Sequence, residues 1–315
     1  MSTSAYPIDP SLTAIAVAYK NEEYIADMVA PRITVGAEQF TWLQYRADAF
    51  YALPETRVGR RSAPNEVNLE ASEVPGMTED HGLDGGVPQN DIKNAESYKS
   101  DDGGQVYDPL GDETMLLSEL VMARREKRVA DLVMNPATYD AQLQEVLAAG
   151  DKFSNPLANI IDIMNEALDM PLVRPNQIIF GQGGWTKFKS HPQIVEAIKG
   201  TGAAAGNVLR QQVAELFEVK EVLVGSARAN VAKPGQVPQL ARMWGNAVAL
   251  LHKAPVPQVK GACTFMGTFQ WGPKVAMQWP NPKMGLRGGI GVRAGESVVE
   301  KVIANQAGYL LREAF

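Results

Sequence analysis

Four short patterns in this 315-residue chain contain residue types used in catalysis, metal binding or nucleotide binding. Asp80-His81-Gly82-Leu83-Asp84 flanks an imidazole with two carboxylates, and with His191 it has the ligand types for a divalent ion or for acid–base chemistry. Its spacing matches no metal motif with a stated mechanism. Asp and His beside Gly satisfy backbone groups in turns, so the pattern reads as a structural turn. Phe180-Gly181-Gln182-Gly183-Gly184 follows an apolar run and leads toward a helical pattern, the setting of a dinucleotide loop. Thr186 stands where the third glycine belongs, and no acidic residue about twenty positions on could hold a ribose. Gly285, Gly288, Gly289 and Gly291 lack the Lys-Ser or Lys-Thr pair of a phosphate loop, which leaves tight turning or close subunit packing. Cys263 is the single cysteine, which excludes an internal disulfide or a multi-thiolate metal site. In Cys263-Thr264-Phe265-Met266 it reads as a small buried hydrophobe. No serine occupies a Gly-x-Ser-x-Gly elbow. No catalytic, metal or cofactor constellation emerges, and the chain reads as a non-enzyme.

The elements that would carry these patterns follow from periodicity and punctuation. Residues 1–38, broken by Pro7, Pro10 and Pro31, hold apolar pieces too short to enclose a core, so they read as an arm that needs something to lie on. Alternation from Phe40 through Trp42 predicts a strand, and residues 54–75 predict a long polar ribbon. A hairpin there would set Arg57, Arg60 and Arg61 beside Glu66, Glu70 and Glu73. Residues 76–111, rich in Gly, Asp and Asn, read as irregular. A spine helix is predicted from Asp112 to Met134, acidic at its start, with Arg124, Arg125, Lys127 and Arg128 in its second half and Pro136 beyond its end. A second helix is predicted to open at Asn155-Pro156, with Leu157, Ile160, Ile161, Met164 and Leu168 as one stripe. Strands at 177–180 and 219–224 with helices at 192–199 and 208–217 make an α/β module. Strands are predicted again at 264–271, 274–279 and 297–304, with 280–291 as a turn region.

Composition and charge narrow the function classes. With 45% hydrophobic and 21% charged residues the chain is globular, and its longest apolar runs fall well short of the ~18–20 residues of a membrane span. Met1 to Pro10 holds no Lys or Arg and leads into no apolar core, so no secretory signal is expected. The net charge of −6 conceals an asymmetry: residues 62–113 hold thirteen acidic groups against Lys93 and Lys99, whereas no Asp or Glu lies between Glu221 and Glu296. Two solvated surfaces would account for this, as would head-to-tail association of complementary patches. Nucleic-acid binding by the basic band is the weaker reading at a pI near 5.3.

An arm, a polar ribbon, a spine helix, an α/β module and a terminal β region, in that order, resemble the major capsid protein of tailed bacteriophages with the Hong Kong 97-type fold, an α+β fold. The stretches that carry the resemblance are Asn21-Glu22-Glu23-Tyr24-Ile25-Ala26-Asp27 with Pro31, Asp80-His81-Gly82-Leu83-Asp84 with Pro88, and Asn155-Pro156. Phe180-Gly181 with Trp185 and His191-Pro192, and Met243-Trp244-Gly245-Asn246, complete the set.

The resemblance implies an arm at 1–38, an extended loop at 39–85, a peripheral domain with the spine helix at 86–154, an axial domain at 155–269, and peripheral strands returning to the axial domain at 270–315. It implies hexamers and pentamers of this chain in a closed icosahedral shell around double-stranded DNA, with portal and with scaffolding, protease or decoration proteins as partners, no membrane and no cofactor. The chain would reside in the virion, and in the host cytoplasm during assembly. Arg57, Arg60, Arg61, Glu66, Glu70, Glu73, Arg287 and Arg293 become candidates for contact between subunits. Arg124, Arg125, Lys127 and Arg128 become candidates for facing the genome. Some relatives cross-link through a lysine on the extended loop. This sequence has no lysine between Lys20 and Lys93, so a noncovalent shell is expected. With the arm starting near Met1, scaffolding is expected from a separate protein. A nanocompartment shell of the same fold around protein cargo is the alternative, and a soluble α/β enzyme using Asp80, His81 and Asp84 the third reading.

Overall fold

The computed structural model describes residues 9–18, 21, 23–45, 55–64, 66, 71–97, 107–200, 206–233, 235–255 and 263–315. Asp9 caps the first helix, its carboxylate accepting from the N–H groups of Ser11 at 2.8 Å and Leu12 at 3.1 Å. Pro10 then opens α1 (Pro10–Ala18), where its missing N–H is no loss. The single-turn α2 (Ala26–Val29), β1 (Arg32–Val35) and β2 (Gln39–Tyr45) follow. β2 pairs antiparallel with β3 (Ala71–Met77), with Leu43 opposite Glu73. The ribbon is thus built from 39–45 and 71–77, and Glu73 lies across from β2 rather than from the arginines at 57–61.

Residues 76–111 are more regular than their composition implies, holding β4 (Glu79–Pro88) and α3 (Gln89–Ser97). β4 is the edge strand of its sheet, where few side chains need be apolar, and only Val87 is buried. Asp80, His81 and Asp84 therefore sit in a strand, not a turn. The spine helix α4 (Pro109–Val133) has 25 residues, roughly 37 Å of rod. Its buried positions Thr114, Leu117, Val121, Arg125, Val129 and Val133 recur every three or four residues along one stripe.

A second layer begins with β5 (Gln144–Val146) and α5 (Ile160–Asp169). The helix expected from Asn155-Pro156 starts five residues later. Asn155 instead holds a turn, accepting from Leu157 N–H at 3.1 Å, and Leu157 is 91% exposed rather than part of the stripe. Next come β6 (Gln177–Gly181), α6 (Gln182–Phe188), α7 (Pro192–Lys199), α8 (Arg210–Leu216) and β7 (Glu221–Gly225). The short strands β8 (Arg228–Asn230) and β9 (Leu240–Arg242) form a hairpin ahead of β10 (Val248–Leu251). The strands expected at 264–271 and 274–279 are one strand, β11 (Met266–Asn281), whose register shifts between Trp271 and Val275, where Gly272 takes φ +70°. β12 (Gly289–Val302) starts well before Ser297, and β13 (Gly308–Arg312) closes the chain's last sheet.

The order β1-β11-β12-β4 makes one sheet and β5-β13-β10-β6-β7 the other. In the second, Ile178, Phe180, Val248, Leu250 and Leu311 pack against Met164, Leu168, Phe188 and Val213 on one face. The alternate residues Ile179, Leu223, Ala249 and Leu310 pack against Val129 and Val133 of α4 on the other. Both faces are covered, which is why these strands are apolar throughout. The first half of α4 lies on the other sheet, Leu117 meeting Ala276, Val292 and Ala294 with Leu12 and Ala16 of α1. α4 thus joins the two sheets.

Candidate assembly surfaces

The segment after α1 is bound to α4 by buried polar chemistry. Glu119 accepts from Asn21 Nδ2 at 2.9 Å and from the Tyr24 hydroxyl at 2.5 Å. The buried Glu126 carboxylate accepts from the Ile25 and Ala26 N–H groups at 3.1 and 2.8 Å and from Trp244 Nε1 at 2.6 Å. One carboxylate thereby satisfies the donors at the start of α2 and fixes the loop before β10. Burial pushes the Glu126 carboxyl up, against the pull of these donors. Asp27 accepts from Arg125 Nη1 at 2.7 Å and Arg32 Nε at 2.8 Å. Burial would raise its carboxyl, but the two guanidiniums hold it below the ordinary range. Arg32 also reaches Glu296 at 2.7 Å, and Arg128 forks onto Glu300 at 2.9 and 3.0 Å. What reads as an arm in sequence is, at 21 and over 23–35, a strap tied to its own chain.

The expected genome-facing set separates. Arg124 is exposed, and Lys127, half-buried, pairs with Asp131 one turn on. Arg128 is engaged with Glu300, and Arg125 is 3% exposed, donating to Asp27, Ala30 O and Thr268 Oγ1. Arg125 is an internal tie and presents no surface charge. Its position on the buried stripe with Val121 and Val129 is the signal that a count of basic residues misses, and the same stripe marks Glu126 beside Ala130.

Of the expected contact residues, Arg57, Arg60 and Arg61 are exposed around a turn in which Ser62 N–H donates to Gly59 O at 3.1 Å. Glu66 and Glu73 are exposed, and Glu70 lies outside the described residues. Arg287 is exposed in the turn from β11 to β12, beside Leu286, which is 99% exposed. Gly285 and Gly288 hold that turn at φ +59° and +74°, the conformation the glycine cluster was needed for. Arg293 forks onto Asp84 of its own chain at 2.5 and 2.7 Å and lies 5.5 Å over the Trp279 ring. The expected acidic-to-basic meeting thus occurs here within one chain, between β4 and β12.

The chemistry-bearing patterns resolve into packing. Asp80 accepts from the Ser297 hydroxyl, and His81 sits across from Glu296 in the β4–β12 ladder. Partial burial and the charge of Arg128 hold the His81 imidazole below its ordinary value. His191 is on the other sheet's helices, its Nε2 2.9 Å from Asn155 O. Among the described residues no group of three or more His, Cys, Asp or Glu is placed to hold a metal ion, and no helix is long and apolar enough to cross a membrane. Gly183 and Gly184 lie under the Phe315 ring, where a Cβ would come within 2.9 and 2.8 Å of it. Cys263 is exposed, not buried: it precedes β11, and the chain turns inward only at Thr264.

Residues 137–239 match the family described as Phage major capsid protein E. The major capsid protein of Pseudomonas phage JBD67 is 41% identical over 314 residues, covering 100% of this chain and 99% of that one. The major capsid protein of Burkholderia phage BcepMu is 30% identical over 227 residues, 70% of this chain and 69% of its own. Among solved structures, a phage-related protein from Bordetella bronchiseptica RB50 superposes with a TM-score of 0.76 at 21% identity, over 99% of both chains. The chain belongs to the phage major capsid proteins and has their Hong Kong 97-type α+β fold.

Proposed function

We propose that this chain is the subunit of an icosahedral phage head, assembling as hexamers and pentamers into a shell that encloses double-stranded DNA. The observation that carries the reading is the match to a phage major capsid protein along the whole chain. The architecture is consistent with it: one long helix packs on two sheets, and the β2–β3 ribbon is anchored on the four-stranded one through Phe40, Trp42 and Phe269. The ribbon tip with Arg57, Arg60 and Arg61, the exposed Glu66 and Glu73, and the β11–β12 turn with Arg287 are the surfaces we assign to contacts between subunits. Arg293, already on Asp84, would contribute through its remaining exposed face.

The body around the five-stranded sheet corresponds to the axial domain and the four-stranded sheet with α1 and α4 to the peripheral one. Leu143, Leu147 and Phe153 pack into the core of the former, so the change of body is drawn before Leu143 rather than at 154. Non-specific contact with packaged DNA would fall to Arg124 and Lys127, the two of the four basic residues whose charge is not bound to a buried partner. Assembly in the host cytoplasm with portal, scaffolding, protease or decoration proteins completes the proposal.

The test is the content and symmetry of purified particles. Closed icosahedral shells with nuclease-protected DNA support the reading; shells filled with a protein cargo and free of DNA would establish the nanocompartment alternative instead.

A further inference from the structure

The five-stranded sheet has two unlike ends. At its β7 end, the β8–β9 hairpin leaves the sheet after Gly225 and spans residues 228–242. This hairpin holds Arg228, Lys233 and Arg242, all exposed, and no acidic residue. None of the three meets an acidic partner among the described residues. Between them Val231, Val237 and Leu240 are 56%, 86% and 64% exposed. Among the described residues nothing pairs with these basic groups or covers the projecting aliphatic patch between them.

At the opposite end lie β5 and α5, the latter packed on β13. Glu145 on β5 and Asp162 and Glu166 on α5 are exposed there, beside the exposed Val146 and Leu157. β5 pairs with β13, whose Tyr309 hydroxyl donates to Glu145 at 3.3 Å, which sets this acidic group against the edge of the sheet. Two basic residues share this end, Arg312 and Lys152, and Lys152 is paired with Glu313 at 3.3 Å. The other acid of α5, Asp169, is bound to Arg174 at 2.7 Å and is not counted.

We infer that copies of this chain meet head to tail through these two ends, the β8–β9 hairpin of one docking on the β5–α5 edge of the next. Unlike patches at opposite ends of one body make a heterologous contact, which closes into a ring when the rotation per subunit divides a full turn. The aliphatic residues supply the area removed from water, and the charges set the register and reject the reversed pairing. The inference rests on the shell reading, whose rings it supplies with a contact.

The experiment is a charge swap read by particle yield. Arg228→Glu with Lys233→Glu and Arg242→Glu, or Glu145→Lys with Asp162→Lys and Glu166→Lys, each place like charges across the contact and should cut particle yield at least about tenfold. All six together restore opposite charges and should recover most of it. Separately, Val237→Cys with Leu157→Cys in a Cys263→Ser background should give, in assembled particles, a ladder of cross-linked chains that neither single cysteine gives. Normal particles from both triple variants, or assembled double-cysteine particles with no ladder, would overturn the contact. So would a hairpin variant that assembles normally and only loses DNA, which would make the hairpin a genome contact. These results leave the shell reading intact. A wild-type chain that forms no particle would remove the shell reading and this contact with it.

Discussion

Glu126 is a small site with wide consequences, because one carboxylate holds the strap, the spine helix and the loop before β10. Glu126→Gln leaves three donors facing one acceptor oxygen and an amide. A loss of about 1–3 kcal/mol is expected, measured by urea unfolding with the far-UV spectrum unchanged. Arg125→Met removes one of two guanidiniums from Asp27 and from Glu300, which keep Arg32 and Arg128, and leaves Ala30 O and Thr268 Oγ1 without that donor; a loss of about 1–3 kcal/mol is expected.

The pH dependence follows from the direction of each shift. His81 and Asp84 are both held below their ordinary values, His81 by partial burial and Arg128, Asp84 by its hydrogen bond from Arg293. A depressed folded-state value means the unfolded chain binds the proton more tightly. The stability is present above the unfolded value and lost as pH falls through the folded one. The urea midpoint should therefore drop below about pH 6.5, and His81→Asn should flatten this first limb. A second drop in the carboxylate range should remain, from Asp84 and Asp27. Glu126, raised, has the opposite sign: its contribution declines as pH rises through the raised value. At this scale the sequence is legible where a residue type is rare. His81 and Cys263 stand out, yet their environments are set by strand pairing and by where the chain turns inward, which spacing alone does not encode.

Among the elements, the ribbon base is the most exacting. Phe269 on β11 lies 4.6 Å from the Phe40 ring and 5.4 Å from Trp42, and a Cβ on Gly76 would come within 2.8 Å of both β2 aromatics. Gly76→Val should displace β3 from β2 and abolish particle formation, and it should lower the melting temperature of the unassembled chain by less than Phe269→Ala does, because it crowds the Phe40 and Trp42 rings beside Phe269 without opening a cavity at the cluster's centre. Phe269→Ala, at the buried centre of the same cluster, should cost about 3–5 kcal/mol. Calorimetry of the unassembled variants separates the two. The spine helix and the strands at 177–181 and 221–225 were legible because period and burial agree in them. β4 and α5 were misjudged for different reasons: Gly, Asp and Asn over 76–111 were weighed as signs of irregular structure, and Asn155-Pro156 was weighed as a helix start. In β4 an edge position excuses them, and before α5 Asn155 caps a turn, not the helix.

For the whole molecule, the order of elements revealed the architecture better than any single motif did. Two short N-terminal helices, the β2–β3 pairing, the 25-residue α4, an α/β layer and the β11–β13 strands follow one another in that order, and over 23–35 the chain ahead of β2 lies on its own body. Charge asymmetry was legible as a quantity, but not as a pairing. Asp84 with Arg293 shows part of it spent within the chain, while the acid-free hairpin at 228–242 remains available to a second copy. The most direct measurement of the central claim is electron microscopy of the largest size-exclusion fraction of the purified chain. The account predicts closed icosahedral particles of megadalton mass, with hexamers and pentamers resolved on their surface. A 34.2 kDa monomer that stays monomeric, alone and with the head-assembly proteins of its own phage added, would contradict it.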